Sequence, residues 1–523
     1  MRKIALYIFL FSVGFVAMSQ TSLSFYHLGD ATFQNSNMNP AFVPSGKVML
    51  GLPGMSGVHL NYNNKLSYND IITKTSEGTQ EIDTKKALFE LQRNNMLSGT
   101  SSISLFHLAF ATKTRGAISF FANERVEGDF LFSEPFMRLI SNGNAGTLGE
   151  EISLSNTRGM ATYFREIGVG YVYRNDALRI KLGGRIKYLQ GFANMSTPEN
   201  MKATVITDNE TYAINARLEN AVLRSSGMNI LNGSSGDLGS HLISNRNRGA
   251  AIDLGVTYNV NEFTSIAASL VDVGFISWKE DIENRGLADT VFNYDGINLI
   301  GVAELEDEIR DSLINKFYLD KSYEPYSSIL SPKIYFSAIH HLRPGRDIIT
   351  SFGGRYIQNQ FKVLMGVGVR QQFGKWFTGS LNITRLPQQF INLGAAVAVK
   401  GGPVQFYLAA DQIAYWNMAE FKSFDLRVGV NFIFNGKVKD EKPVNQGGLP
   451  YFEKFVSKQK TGKGKSMPNA QSFLGKTKKV RGMEGIYNLI KRQKRRSLKE
   501  INKKPGGERK IQNAPLPRSP KEN

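Results

Sequence analysis

Three stretches of the chain alternate strictly between apolar and polar positions. From Leu178 to Tyr188 one face reads Leu178, Ile180, Leu182, Ile186, Tyr188; the other reads Arg179, Lys181, Gly183, Arg185, Lys187. From Ile252 to Val260, Ile252, Leu254, Val256, Tyr258 and Val260 alternate with Asp253, Gly255, Thr257 and Asn259. From Phe424 to Phe434, Phe424, Leu426, Val428, Val430, Phe432 and Phe434 alternate with Asp425, Arg427, Gly429, Asn431 and Ile433. Period two over 9 to 11 residues predicts strands with one apolar face. A tilted membrane strand needs about 9–11 residues, whereas strands of soluble sandwiches run nearer ~5–6.

Similar segments fill the body, near 47–52, 58–63, 102–111, 115–124, 163–174, 201–208, 211–218, 263–271, 332–342, 347–358, 360–371, 375–385, 390–400 and 404–412. Some of these read as hairpins within loops. The pattern predicts an all-β fold, a transmembrane antiparallel barrel of roughly 12–16 strands, even in number. A soluble β fold is the alternative. Asn175-Asp176, Arg343-Pro344-Gly345 and Lys400-Gly401-Gly402 read as tight turns. The stretches 64–100, 126–159 and 225–248 read as surface loops. Tyr171, Tyr173, Trp376, Phe377, Tyr415 and Trp416 suit interfacial girdles. On this reading Val256 and Val428 face hydrocarbon, and Gly429 lies on the milder, opposite face. Two helices are expected, over 83–92 behind an Asp83 cap and over 304–317.

The N-terminus adds a location. Met1-Arg2-Lys3 is basic, Ile4 to Val16 is apolar, and Ala17-Met18-Ser19 is a small-x-small site. This predicts a secretory signal over 1–19, cleaved between Ser19 and Gln20; an N-terminal anchor is the alternative. Past Gln20 no apolar run reaches the ~20 residues of a membrane helix. The chain has no cysteine, which excludes disulfides, thiolate metal sites, a cysteine nucleophile and a lipoprotein anchor.

Charge then divides the chain. Of its 64 Lys+Arg and 45 Asp+Glu, residues 436–523 hold 24 basic and seven acidic, whereas 20–435 hold 38 of each. A barrel over 20–435 is therefore expected to carry a basic, largely disordered tail over 436–523. With an even strand number both ends face the periplasm, so the tail is expected there. Within it, 483–501 reads as an amphipathic helix: Ile486 and Ile490 on one side, Lys491, Arg492, Lys494, Arg495 and Arg496 on the other. Such a helix suits an acidic periplasmic or secreted protein, anionic lipid or peptidoglycan; a solvated tail without a partner is the alternative. In a chain of the outer membrane the basic excess does not point to nucleic acid.

Leu28-Gly29-Asp30 followed by Asn37-Met38-Asn39-Pro40-Ala41-Phe42 precedes the first strand. This entry resembles the Asn-Pro-Ala entry of Bacteroidota outer-membrane barrels: the PorP/SprF-like and PorV-like proteins of type IX secretion and, more distantly, the FadL-like transporters. Ala251–Trp278 is similar to the same group. The likeness covers 20 to about 435 and implies either a partner-docking barrel of secretion or gliding, or a transporter for a hydrophobic or small solute. The long basic extension departs from those relatives. Asn39, Pro40 and Ala41 are either a plain turn opening the first strand or part of a plug.

Candidate chemistry is sparse. The six histidines lack metal-ligand spacing, and no nucleophile elbow or phosphate-binding lysine motif occurs. Neither catalysis nor a cofactor is expected. Gly168-Val169-Gly170 and Gly366-Val367-Gly368 read as close strand packing. Arg179, Lys181, Arg185 and Lys187 share one face by alternation and form a candidate basic lumen wall, either paired with luminal carboxylates or free to favour anions.

Overall fold

The computed structural model describes residues 22–434, except 44–45, 75–78, 113–115, 229–246, 288–289, 295–319, 386–390 and 414–417. The expected signal segment with Ser19 and Gln20, the helix at 304–317, Tyr415, Trp416 and the whole tail lie outside the described residues.

Fourteen wall positions close into one antiparallel barrel. In chain order they are β1 (Val48–Gly51 and, after a break, Val58–Asn63), β2 (Asn94–Ala111), β3 (Gly116–Ser133), β4 (Arg158–Asn175), β5 (Ile180–Ser196), β6 (Arg248–Asn259), β7 (Thr264–Trp278), β8 (Tyr326–Ile329 and Lys333–Arg343), β9 (Arg346–Ile357), β10 (Gln360–Phe373), β11 (Phe377–Arg385), β12 (Asn392–Gly401), β13 (Val404–Ala410) and β14 (Ser423–Phe434). Closure is made by β14 on β1, with Val48 opposite Phe434 and Val58 opposite Val428. At one end, turns of two to four residues join β2–β3, β4–β5, β6–β7, β8–β9, β10–β11 and β12–β13. Val48 and Phe434 lie at that same end. Most connections at the other end are long.

Alternation decides what faces out. Phe106, Phe120, Val169, Ile186, Leu254, Leu270, Phe336, Phe352, Val367, Leu381, Leu393, Phe406 and Phe424 are all exposed, and they come from thirteen different wall positions. Leu60 completes the ring from β1. A continuous apolar exterior of this extent is not tolerated in water; it is the exterior of a barrel that spans a bilayer. Among the described residues no helix is long and apolar enough to cross a membrane. Tyr171, Tyr173 and Trp376 are exposed at the short-turn end, where ring and hydroxyl or indole N–H can meet the interface.

The wall is taller than the alternation suggests. β2, β3 and β4 each run 18 residues, so much of 94–100, 126–133 and 158–159 is strand and not loop. There Leu97, Val126 and Phe130 still face outward, but Met96, Leu131 and Phe132 are buried, so the clean alternation fades without breaking the ladder. The segments at 201–208 and 211–218 leave the wall. Lys202–Thr207 and Ile214–Glu219 pair with each other and with Glu151–Ser153 and Thr290–Tyr294 in a separate sheet among the long loops. The expected loop helix forms over Thr84–Glu90, and the Asp83 carboxylate accepts from Lys86 N at 2.9 Å.

Candidate functional site: a plugged, charged lumen

Residues 22–43 do not join the wall. They fill its interior as a short helix (Leu23–Tyr26) and two tight turns (Gly29–Ala31 and Phe33–Asn37). The reason is apolar: Leu23, Phe25, Tyr26, Leu28, Met38 and Phe42 are all buried. They pack on Ala267, Val271, Tyr335, Leu364, Ala396, Ala398, Tyr407 and Ala409 of the wall. Inward glycines make the room. A Cβ at Gly366 would crowd Leu23, one at Gly368 would crowd His27, and one at Gly394 would strike the Ser24 hydroxyl. The Gly366-Val367-Gly368 spacing thus serves close approach of the plug more than strand packing alone.

Single side chains tether the plug, and no β-ladder does. The Asp411 carboxylate accepts from Leu23 N (3.0 Å) and Ser24 N (2.8 Å). Tyr26 meets Ser337 at 3.2 Å and His27 Nε2 meets Ser351 Oγ at 2.8 Å. Burial, aided by the Arg370 guanidinium, pushes the His27 imidazole down to about 3, so it is neutral at physiological pH. Gln34 exchanges amide hydrogen bonds with Asn431. Asn35 ties the segment internally, donating to the carbonyls of Phe25, Tyr26 and Gly29.

Asn39, Pro40 and Ala41 belong to this plug. Asn39 Oδ1 accepts from Ala41 N at 2.9 Å, closing a turn, and Asn39 Nδ2 donates to Ala268 O of β7. Gly183 and Gly255 let Pro40 and Asn39 lie against the wall. The motif is both a turn and a lumen element.

Of the four basic residues placed on one face, three point inward. Lys181 pairs with Asp30 of the plug. Arg185 donates to Ser36 O (2.9 Å) and Asn37 Oδ1 (2.7 Å) and stacks over the Phe121 ring. Lys187 pairs with Asp272 at 2.6 Å and Asp253 at 2.8 Å. Arg179 does not share this face. It ends the β4–β5 turn with φ +56°, and the reversal carries its side chain to the surface.

The inward face of β3 to β9 is a continuous ion-pair network. Arg125 bridges Glu127, Glu166 and Asp272; Lys333 reaches Asp272 at 2.7 Å; Arg355 reaches Asp129 at 2.7 Å. Asp272 is the hub. It sits at a bulge in β7 with φ +62°, a conformation that Asp tolerates better than most residues. Period-two reading could not find it, because the bulge turns both Val271 and Asp272 inward. Two adjacent inward residues break the alternation, and that break is the signal available in sequence.

On the loop side of the plug lies a cavity of about 100 Å³, lined by these charges and by Phe25, Met38, His59, Asn61, Ser102, Tyr407 and Arg427. That is below the ~300–1,000 Å³ of drug-sized sites and suits a small solute. The walls are mainly polar and charged. Among the described residues no cluster has the make-up of a metal site.

One family model covers residues 40–411, from the end of the plug through the wall to Asp411. The chain belongs to the family of unknown function DUF5723. No curated protein gives a match. Among solved structures, a deletion mutant of the TodX monoaromatic hydrocarbon channel is similar at 10% identity and a TM-score of 0.41, over 80% of this chain and 98% of that one. TodX itself is a Pseudomonas putida toluene transporter. A Pseudomonas aeruginosa FadL homologue aligns at 7% identity and TM-score 0.38, over 80% of this chain and 100% of that one. The translocator domain of the Neisseria meningitidis autotransporter NalP gives 10%, 0.27, 75% and 89%. Likeness of this degree says nothing about what the DUF5723 chain binds. The type IX likeness of the Asn39-Pro40-Ala41 entry stays an expectation that none of these matches tests.

Proposed function

We propose that this DUF5723 protein is an outer-membrane channel for a small polar solute, gated by its own N-terminal segment. The observation that carries the reading is how the plug is attached. Residues 22–43 fill the lumen but share no ladder hydrogen bonds with the wall. They are held at separate points by Asp411, Ser337, Ser351, Asn431 and Arg185. A segment tied this way can shift while all fourteen wall positions stay paired. The adjoining chamber, lined by polar and charged side chains from both plug and wall, supports solute passage over a purely structural role. Its charged lining favours a polar cargo over a hydrocarbon, because an apolar solute would leave buried charges without compensation. Arg427 and Asp425 give it groups of both signs.

Reconstitution in planar bilayers tests this. Wild-type protein should give small, intermittent conductance, and a form lacking residues 22–43 should give large, steady conductance. Equal conductance from the two would refute gating by the plug.

A further inference from the structure

Every lysine and arginine that lines the chamber makes an ion pair with a carboxylate, with one exception. Arg125, Lys187, Lys333 and Arg355 each make ion pairs. Arg427 of β14 makes none among the described residues. Its guanidinium lies over the Phe25 ring of the plug, 5.1 Å from the centroid. Its Nε is buried and has no hydrogen-bond partner. The nearby Asp425 accepts from Asn61 at 2.9 Å and pairs with His59 at 2.9 Å; it attracts Arg427 through space but makes no ion-pair contact with it.

The wall register shows what surrounds this cation. Arg427 lies beside His59, His59 beside Ser102, and Ser102 beside Arg125. All four side chains line the same chamber. An anionic group placed against Arg427 would meet a charged donor, the imidazole of His59 beside it and, further along the row, the Ser102 hydroxyl and a second guanidinium. Phe25 and Tyr407, packed on each other with centroids 5.3 Å apart, form an apolar border to the same chamber. The buried Arg427 Nε has no acceptor, and an oxyanion would supply one.

We infer that Arg427 is the anchor of a binding site for a small organic oxyanion, a carboxylate or a phosphate, with its apolar body against Phe25 and Tyr407. The site deepens the solute-passage reading by naming the class of solute. Phe25 also makes the site depend on plug position: displacement of the plug would remove one wall of it.

Isothermal titration of the full chain in detergent tests the site with three probes: benzoate, inorganic phosphate and neutral benzyl alcohol. At least one anion should bind at least tenfold more tightly than benzyl alcohol, and more weakly as salt rises. Benzoate binding alone assigns a carboxylate site, and phosphate binding alone a phosphate site. Arg427→Gln should weaken that anion tenfold or more, and Arg427→Lys should retain most of the affinity. Benzyl alcohol binding as tightly as benzoate, no binding of either anion, or unchanged binding in Arg427→Gln would overturn the assignment. The probe comparison on wild-type protein decides the question even if Arg427→Gln fails to assemble. Binding is read without flux. A barrel that binds benzoate but never conducts would sink the channel and keep the site; a conducting barrel blind to both anions would do the reverse.

Discussion

Three residues carry most of the lumen's order. Asp272 is shared by Arg125, Lys187 and Lys333, so Asp272→Asn leaves buried cations short of a counter-charge. Breaking a buried network at one partner costs about 3–5 kcal/mol. The urea midpoint of the folded barrel should fall accordingly, and an unchanged midpoint would mean the network contributes little. Asp411 satisfies two backbone donors of the plug, and unmade buried hydrogen bonds cost about 1–3 kcal/mol each. Asp411→Ala should therefore raise the open fraction in single-channel recordings while leaving the wall intact. His27 adds a pH dependence. Its pKa lies near 3 when the plug is seated, against 6.5 when free, so the free form binds more protons between those values. The His27 contribution to seating is thus fully present above pH 6.5 and weakens as pH falls toward 3, by up to about 1.4 kcal/mol per unit; the Asp411 carboxyl, pushed up to about 7 by burial, acts in the opposite sense. On acidification from pH 7 to 4, protease access to the plug should therefore rise more in the wild type than in His27→Gln.

At the scale of the strand, the outward face is the one written most plainly in the sequence. In β14, Phe424, Leu426, Val428, Val430, Phe432 and Phe434 occupy the outer positions, opposite Asp425, Arg427 and Asn431. Val428→Arg should cost about 2–4 kcal/mol near the midplane and reduce the folded fraction on a semi-native gel. The change at Gly429, expected to be the milder of the two, is still not free. A Cβ there would press on the Ser56 backbone and the Tyr407 hydroxyl, so Gly429→Ser should also impair assembly. Alternation revealed the wall because lipid imposes one chemistry on every outer position. It said little about the inner face, where Lys181 meets Asp30 and Arg185 meets Ser36, partners about 150 residues apart in sequence. Nor could it rank Arg427 above Arg125: only the folded wall shows that Arg125 meets three carboxylates while Arg427 makes no ion pair among the described residues. The plug was half legible. Asn39-Pro40-Ala41 marks a turn, but Leu23, Phe25 and Tyr26 follow no period that distinguishes a lumen filler from an exported linker.

For the whole molecule, closure and gating are separate properties. The ladder closes through Val48 and Phe434, before the basic extension begins. Deleting residues 436–523 should therefore leave insertion and heat-modifiable migration unchanged; loss of the folded band would make the extension part of the fold. Gating is tested most directly by fixing the plug to the wall. The chain has no cysteine, and Ser24 lies directly against Gly394, so a Ser24→Cys, Gly394→Cys pair can bridge plug and wall once the plug gives slightly to admit the added Cβ. Conductance of this double variant in planar bilayers should fall to the closed level when oxidised and recover to the wild-type level on reduction. Identical conductance in the two states, with the disulfide shown to have formed, would contradict a channel gated by its own N-terminal segment.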